Sequence, residues 1–421
     1  MTQTVMAAII LVVIVYLFFS PRFPNSVVAI LGTIAMGVSG ILPVKEVFQY
    51  YAASTCVLMI GMMIIGGGMM HTGFAGWLGN KLVGMTGKGE RNLMLIAVLS
   101  GWIMSSVCSG SASMMILYPI ICSICIASKI SMSRIMFPMF AGIGMGSLMT
   151  VAGSGMCGAT SAILEEAGFR GWSFFEPAWI GFPSAIAGTL IIYFFGQKLL
   201  PDRMVLPDAA QAEKAQNIPD KFGGKMWVSA TILVLTIIGM VVDSPVLPMY
   251  MCAALGACAS VITGCLNQKQ MFASISWNTI FMIGGMTAVA KGVEASGLGQ
   301  VIADGIMNMV GADASPILVI MIIYLVTGLI TQFMSNNAAA SLMAPIGISL
   351  ASAMGIEPYA FVAAALGGSL IAMLTPIATP TMAFAMEGGK YTPKEVFIWG
   401  VFTQLIPNII VALVFIPLAW L

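Results

Sequence analysis

The chain of 421 residues contains the same landmarks twice, about 224 residues apart, and this internal repeat constrains its fold more than any other feature. Residues 109–120 (SGSASMMILYPI) match residues 335–346 (SNNAAASLMAPI). Residues 144–156 (GMGSLMTVAGSGM) match residues 368–382 (GSLIAMLTPIATPTM). We therefore expect two copies of one ancestral unit of about 200 residues.

Composition indicates a membrane protein. Hydrophobic residues make up 59% of the chain and charged residues only 8%, whereas soluble domains are about one quarter charged. The first apolar run, residues 5–19, has no positive residue before it and no small-residue cleavage site after it, so we expect a retained helix. A net charge of +1 without a basic tail argues against binding of nucleic acid. The predicted fold class is an all-α polytopic membrane protein, and duplicated halves in such a chain are typical of transporters whose site lies between the repeats.

The apolar segments divide the chain into two repeats. We predict membrane-spanning segments at residues 5–20, 25–43, 55–72, 131–166, 176–198, 226–242, 246–264, 277–293, 358–389 and 396–418. The first repeat is predicted to be residues 1–200 and the second residues 226–421. The polar residues 201–225 would form a cytoplasmic linker between them.

Two further segments do not fit a simple span. Residues 93–128 are interrupted by the small polar run 105–113, and residues 317–352 by the run 331–341. Each apolar arm is then about 13 residues, or about 20 Å of helix, against about 30 Å of hydrocarbon. We predict a re-entrant hairpin in each repeat, at about 91–129 and about 314–355.

The charge distribution predicts how the repeats are oriented. If both hairpins re-enter, each half crosses the membrane an odd number of times, so the halves have inverted topology. Of the 17 Lys and Arg residues, Lys45, Arg170 and Lys291 then fall on one face, which leaves fourteen on the other. Because positive residues are enriched in cytoplasmic loops, the richer face is predicted to be cytoplasmic, with both termini outside. The expected location is the cell inner (cytoplasmic) membrane, as a multi-pass protein.

Polar residues concentrate at the hairpin tips and at breaks in two long helices, about 131–166 and about 358–389. These tips and breaks are residues 109–111 (SGS), 335–337 (SNN), 150–155 (TVAGSG) and 375–380 (TPIATP). Freed carbonyls with hydroxyl and amide oxygens can replace the water around Na⁺, and helix N-termini carry partial positive charge suited to carboxylate or sulfate. Acidic residues fall at the ends of predicted spans instead, which favours sodium over protons as the coupling ion.

The motifs TQFMSNN (331–337) and LTPIATPT (374–381) resemble those of the divalent anion:sodium symporters, a family of the ion transporter superfamily. The resemblance covers nearly the whole chain. It implies inverted repeats with two hairpins and two broken helices, in a homodimer that works as an elevator. It also implies Na⁺ as coupling ion, with no other metal and no cofactor.

The resemblance implies roles for individual residues. One sodium site would consist of Thr331, Ser335, Asn336 and the Ala378 carbonyl. The other would consist of Ser105, Ser109 and the Gly153 carbonyl. The residues facing the substrate would be Ser111, Ser154, Asn337, Thr379 and Pro380.

The chain departs from the family pattern at the first tip and the first break. Gly110 stands where the family has Asn, while Ser111 and Asn337 stand where it has Thr. The first broken helix reads AGSGM (152–156) instead of a Thr-Pro-Pro type. The first sodium site therefore lacks one side-chain ligand of the family.

Together these features predict a secondary active transporter that imports a small, dicarboxylate-like organic di-anion with Na⁺ by elevator-type alternating access. The expected partners are the anionic substrate, the lipid bilayer and a second copy of the chain. Two alternatives stay open: a permease for sulfate or another inorganic oxyanion, coupled to sodium or to protons, and a channel-like anion conductor. No nucleophile–base pair, phosphate-binding loop or metal motif is present in the sequence, so an enzyme is not predicted.

Overall fold

The computed structural model describes residues 2–18, 22–84, 89–201, 203–205, 223–311, 314–372 and 379–421. Within these ranges the chain consists of α-helices joined by short turns. The only extended pairing found there is an isolated bridge between Ser244 and Leu247. The predicted all-α fold class is confirmed.

In the first repeat, a hairpin and a broken helix lie between unbroken helices. Its helices are α1 (Gln3–Phe18), α2 (Asn25–Val38), α3 (Ser54–His71), α4 (Phe74–Gly84), α5 (Glu90–Val107), α6 (Gly110–Ser128), α7 (Met132–Gly146), α8 (Gly155–Glu166) and α9 (Ala178–Leu199). Helices α5 and α6 form the first hairpin. Helices α7 and α8 are the two parts of the first broken helix, joined through a 3-10 turn at Val151–Gly153.

The second repeat has the same order of elements, with a short helix, Gln268–Ser274, in the place of the 3-10 turn Gln49–Ala52 of the first repeat. Its helices are α10 (Gly224–Val242), α11 (Met249–Ile262), α12 (Gln268–Ser274), α13 (Trp277–Ala295), α14 (Leu298–Val310), α15 (Pro316–Ile330), α16 (Asn336–Met354), α17 (Tyr359–Ser369), α18 (Pro380–Gly389) and α19 (Pro393–Trp420). Helices α15 and α16 form the second hairpin, and α17 and α18 flank the second break. Residues 373–378 of that break lie outside the described residues. Helices α4 and α14, which precede the hairpins, lie outside the segments predicted from hydrophobicity.

The two broken helices run in opposite directions. Tyr391, just after α18, donates a hydrogen bond to the Ser133 carbonyl at the start of α7 (2.7 Å). Tyr359, at the start of α17, donates to the Arg170 carbonyl, four residues beyond the end of α8 (3.4 Å). Each broken helix therefore begins where its counterpart ends, as an inverted repeat requires.

The arms of the hairpins are longer than the sequence indicated. Helices α5, α6, α15 and α16 contain 18, 19, 15 and 19 residues. The predicted arm length of about 13 residues is wrong, because the helix continues through the small polar residues to Val107 and resumes at Gly110. An 18-residue arm is about 27 Å long, and by length and composition α16 could itself cross a bilayer. Arm length therefore does not distinguish a re-entrant arm from a span.

The position of the tips makes that distinction. Ser109 and Ser335, at the two tips, line the same cavity as Gly153 and Ser154, which belong to the break between α7 and α8. This break lies near the middle of the long helix formed by α7 and α8. A tip at the depth of the break stops partway through the membrane, so both hairpins re-enter.

Glycines hold each hairpin against its broken helix. A Cβ atom added to Gly142 on α7 would lie 2.1 Å from the backbone oxygen of Val98 on α5. In the second repeat, a Cβ on Gly368 of α17 would lie 2.4 Å from the backbone oxygen of Tyr324 on α15. Contacts this short allow no side chain, so backbone packs on backbone in both repeats. This packing brings the tips to the breaks.

The boundary between the repeats stays a prediction. Helix α10 begins at Gly224, two residues before the predicted start of the second repeat. Residues 206–222 of the predicted linker lie outside the described residues. The beginning of the linker packs on the first repeat, where the Met132 amide donates to the Val205 carbonyl (3.1 Å).

Candidate functional site

A cavity of about 250 Å³ lies where the tips and the breaks meet. The N-terminal ends of four helices point to it: α6, α8, α16 and α18. Each end leaves backbone N–H groups without intrahelical partners and carries partial positive charge. The described residues around the cavity include no Asp, Glu, Lys, Arg or His. The positive potential of the site therefore comes from backbone dipoles, and this arrangement can bind an anion.

Hydroxyl side chains cap three of the four helix ends. The Ser109 hydroxyl accepts a hydrogen bond from the Ala112 amide (3.4 Å), and the Ser335 hydroxyl accepts one from the Ala338 amide (3.3 Å). The Thr379 hydroxyl caps α18 in the same way. Ser109 and Ser335 thus occupy equivalent places in the two repeats. Capping uses one lone pair of each hydroxyl, and the other lone pair can coordinate a cation.

The predicted sodium ligands of the second repeat come together at the base of the second tip. Thr331 is fully buried, and its hydroxyl lies within hydrogen-bonding distance of two acceptors, Oδ1 of Asn336 (3.1 Å) and the Ser369 carbonyl (3.3 Å). Ser335 is the neighbour of Asn336 at the tip. Ala378 lies outside the described residues. Ser369, the last residue of α17, was not predicted from the sequence, because its carbonyl reaches this group only through the packing of α17 on α15.

The predicted ligands of the first repeat are also neighbours. Ser105 is fully buried on α5, and its hydroxyl has no hydrogen-bond partner among the described residues. A Cβ on Gly153 would lie 3.1 Å from the backbone oxygen of Ser105. Ser109 and Gly153 both line the cavity. A buried hydroxyl without a partner costs about 1–3 kcal/mol, and a coordinated cation would remove this cost.

The predicted substrate residues surround the cavity from both repeats. Ser111, Ser154, Asn337 and Thr379 all line it. The Ser154 hydroxyl donates to the sulfur of Cys157 (3.3 Å). Pro380 is the first residue of α18, and its side chain lies outside the described part of the structure.

Several cavity residues escaped sequence reasoning. The additional lining residues are Phe140, Ile143, Gly144, Ser147, Met156, Thr279, Leu370, Ala372 and Thr381. Most are apolar and resemble any other membrane residue in sequence. Thr279 is notable because it belongs to α13, outside the tips and breaks. No sequence signal marks it.

The fold and this site define the class of protein. Inverted repeats with two hairpins and two broken helices that meet at a central cavity are the architecture of a multi-pass membrane secondary transporter. Comparison with known proteins agrees. The sequence profile of a family described as citrate transporters (CitMHS) matches residues 9–366. The chain belongs to this family, and its resemblance to the divalent anion:sodium symporters is confirmed. These proteins are transporters and not enzymes.

Relatives with more specific descriptions match over part of the chain. Sodium/sulfate cotransporter 1 of Chlamydomonas reinhardtii is 28% identical over 172 residues, which are 41% of this chain and 20% of that protein. The sodium-dependent dicarboxylate transporter SdcS of Staphylococcus aureus is 31% identical over 140 residues, 33% of this chain and 26% of that protein. In each case the matched region is less than a third of the relative's own length.

A solved structure supports the fold over most of the chain. The structure of MtrF from Neisseria gonorrhoeae, described as illuminating a class of antimetabolite efflux pumps, superposes with a TM-score of 0.63. The superposition covers 88% of this chain and 83% of MtrF, at 15% sequence identity. At this identity the likeness concerns the fold alone.

Proposed function

We propose that this transporter imports a small organic di-anion together with Na⁺. The observation that carries the proposal is the meeting of four helix N-termini at one cavity whose described lining has no charged side chain. Such a site attracts a doubly charged anion without holding it in a salt bridge, so release remains possible. The cavity of about 250 Å³ is smaller than the roughly 300–1,000 Å³ of pockets for drug-sized ligands. It therefore suits a small acid.

Sodium is the coupling ion in this proposal. The predicted ligands are hydroxyl, amide and carbonyl oxygens, among them the Thr331 and Asn336 oxygens 3.1 Å apart. No described residue of the cavity is a carboxylate that could carry a proton. The names of the dicarboxylate and sulfate relatives, both sodium-dependent, support the same choice.

The movement proposed is an elevator in the cytoplasmic membrane, with both termini outside. The hairpins and broken helices, packed backbone to backbone, would move as one body against the remaining helices. Residues 1–200 and 226–421 form the two repeats in this scheme, joined by the cytoplasmic linker 201–225. The working unit would be a homodimer.

The test is uptake of radiolabelled succinate, malate, citrate and sulfate into proteoliposomes, with an inward gradient of either Na⁺ or K⁺. We expect saturable uptake of at least one dicarboxylate that requires Na⁺. Uptake that is equal with Na⁺ and K⁺ would refute sodium coupling. Flux that rises linearly with concentration and lacks trans-stimulation would indicate a channel-like conductor instead.

A second candidate function is a permease for sulfate or another inorganic oxyanion. Backbone N–H groups at helix N-termini bind sulfate as readily as carboxylate, and one relative is named a sodium/sulfate cotransporter. In the same uptake assay, sulfate transport that succinate does not inhibit would favour this candidate. A pH gradient that drives it without Na⁺ would assign proton coupling.

A further inference from the structure

A second cavity of about 550 Å³ adjoins the first and extends to His71 at the end of α3. We refer to this second cavity as the vestibule. The residues that line both the vestibule and the smaller cavity are Ser109, Ser111, Gly153, Ser154, Gly155 and Thr279. These residues form the boundary between the two spaces.

Thr279 differs from the other five residues in its origin. The five belong to the first tip and the first break, whereas Thr279 lies in the first turn of α13 in the other repeat. The start of α13 is held in place by two neighbouring helices. The Ser276 amide contacts the sulfur of Met63 on α3 (3.3 Å), and Asn278 accepts a hydrogen bond from the Ser26 amide on α2 (3.3 Å). Thr279 is therefore held at a fixed position, where it faces the first tip and the first break.

The orientation of Thr279 shows which of its groups meets the site. Its hydroxyl is hydrogen-bonded to the Ser276 hydroxyl (2.8 Å). Its γ-methyl faces Gly155, where an added Cβ would lie 2.5 Å from this methyl and 2.7 Å from Nδ2 of Asn337. A β-branched side chain in a helix has little freedom at χ1, so the methyl cannot easily move aside.

We propose that the γ-methyl of Thr279, seated on Gly155, determines the size of the acid that the transporter accepts. The methyl narrows the passage between the vestibule and the substrate cavity, so acids with larger carbon skeletons are sterically excluded. Its hydroxyl has no part in this selection because Ser276 holds it. This inference rests on the proposed transport of small organic anions.

The test compares Thr279→Ser, which removes only the methyl, with Thr279→Val, which keeps the shape and removes the hydroxyl. Initial rates of succinate and citrate uptake into proteoliposomes are measured with an inward Na⁺ gradient for each protein. One methyl or methylene in a contact site changes discrimination about tenfold or more. We expect Thr279→Ser to raise the citrate-to-succinate rate ratio by about tenfold, and Thr279→Val to leave it within about twofold. An unchanged ratio in Thr279→Ser, or an equal change in Thr279→Val, would overturn the inference.

A second pair of variants tests the contact from its other side. Gly155→Ala should reduce uptake of both acids, because its new methyl would collide with the methyl of Thr279. The double variant Gly155→Ala/Thr279→Ser should recover much of this loss, since the amide of Asn337 can rotate away. Failure of Thr279→Ser to recover any uptake, in a double variant that purifies as a folded protein, would also overturn the inference. If the wild type transports none of succinate, malate and citrate, the proposed function itself is refuted, and the role of Thr279 falls with it.

Discussion

Replacement of Asn336 by Ala is expected to weaken sodium coupling strongly. Oδ1 of Asn336 lies 3.1 Å from the buried hydroxyl of Thr331, which in turn lies 3.3 Å from the Ser369 carbonyl. Two oxygens from different parts of the second repeat thus lie within hydrogen-bonding distance of the Thr331 hydroxyl. The variant removes one of them and leaves the Thr331 hydroxyl with a carbonyl partner only.

The size of the effect follows from the type of contact that is lost. A hydrogen-bonding group that interacts with a charge contributes about 1.5–3 kcal/mol. Because each 1.4 kcal/mol is a factor of ten, the Na⁺ concentration that gives half-maximal uptake should rise about ten- to hundredfold. The maximal rate should change less, since the substrate-facing groups stay in place.

The assay measures initial succinate uptake into proteoliposomes at increasing Na⁺, with choline replacing Na⁺ at constant ionic strength. The matched control is Cys122→Ala, which removes a buried sulfur from α6 without touching the site. Size-exclusion chromatography checks that both variants are folded. A half-maximal Na⁺ concentration within about twofold of wild type for Asn336→Ala, or an equal shift for Cys122→Ala, would refute the assignment of this sodium site.

Three further predictions concern packing, charge and pH. Gly142→Ala should lower the free energy of unfolding in detergent by about 1–3 kcal/mol, because the added methyl overpacks the contact with Val98. Gly305→Ala, the control, has open space around its Cβ and should not lower it. Equal shifts in melting temperature for the two variants would contradict the close packing of α7 on α5. Asn337→Asp places a negative charge in the uncharged cavity and should raise the KM for succinate at least about tenfold; an unchanged KM would contradict an anion site. Burial raises the pKa of Glu176, but its hydrogen bonds, above all those from Arg170, outweigh this and lower the pKa below its usual value. Glu176→Gln should therefore cost about 1 kcal/mol at pH 7, since solvent screens the half-exposed Arg170. In pH-dependent unfolding, the difference between the two proteins should begin to decrease as pH falls to about 4, the usual pKa of Glu, and should vanish below the lowered pKa of Glu176.

Local sequence patterns predicted most helices and the plan of the molecule. Hydrophobicity located the simple spans because a span must be apolar over its whole length. The internal repeat identified the hairpins and broken helices, because the same polar interruptions occur at equivalent places in both halves. Ordinary membrane helices do not show such a recurring pattern. The helices α4 and α14 were missed because they are short and belong to no long apolar run.

The sequence predicted the polar residues of the site but not the residues that contribute a backbone carbonyl or a methyl group. Residues at the tips, such as Ser109 and Asn336, stand out as polar groups within apolar segments. Ser369 contributes a backbone carbonyl, and Thr279 contributes a methyl, and neither group gives a signal in the sequence.

The amino-acid order was sufficient to establish a membrane-embedded duplicated chain with polar interruptions, because hydrophobicity and repetition are properties of neighbouring residues. The depth of the tips was decided only by the packing of each hairpin on its broken helix, through contacts such as Gly142 against Val98. The same holds for the meeting of Thr279 with Gly155, two residues more than a hundred positions apart. Both contacts join residues that are distant along the chain, within one repeat for Gly142 and Val98 and between the repeats for Thr279 and Gly155, so no local pattern encodes them.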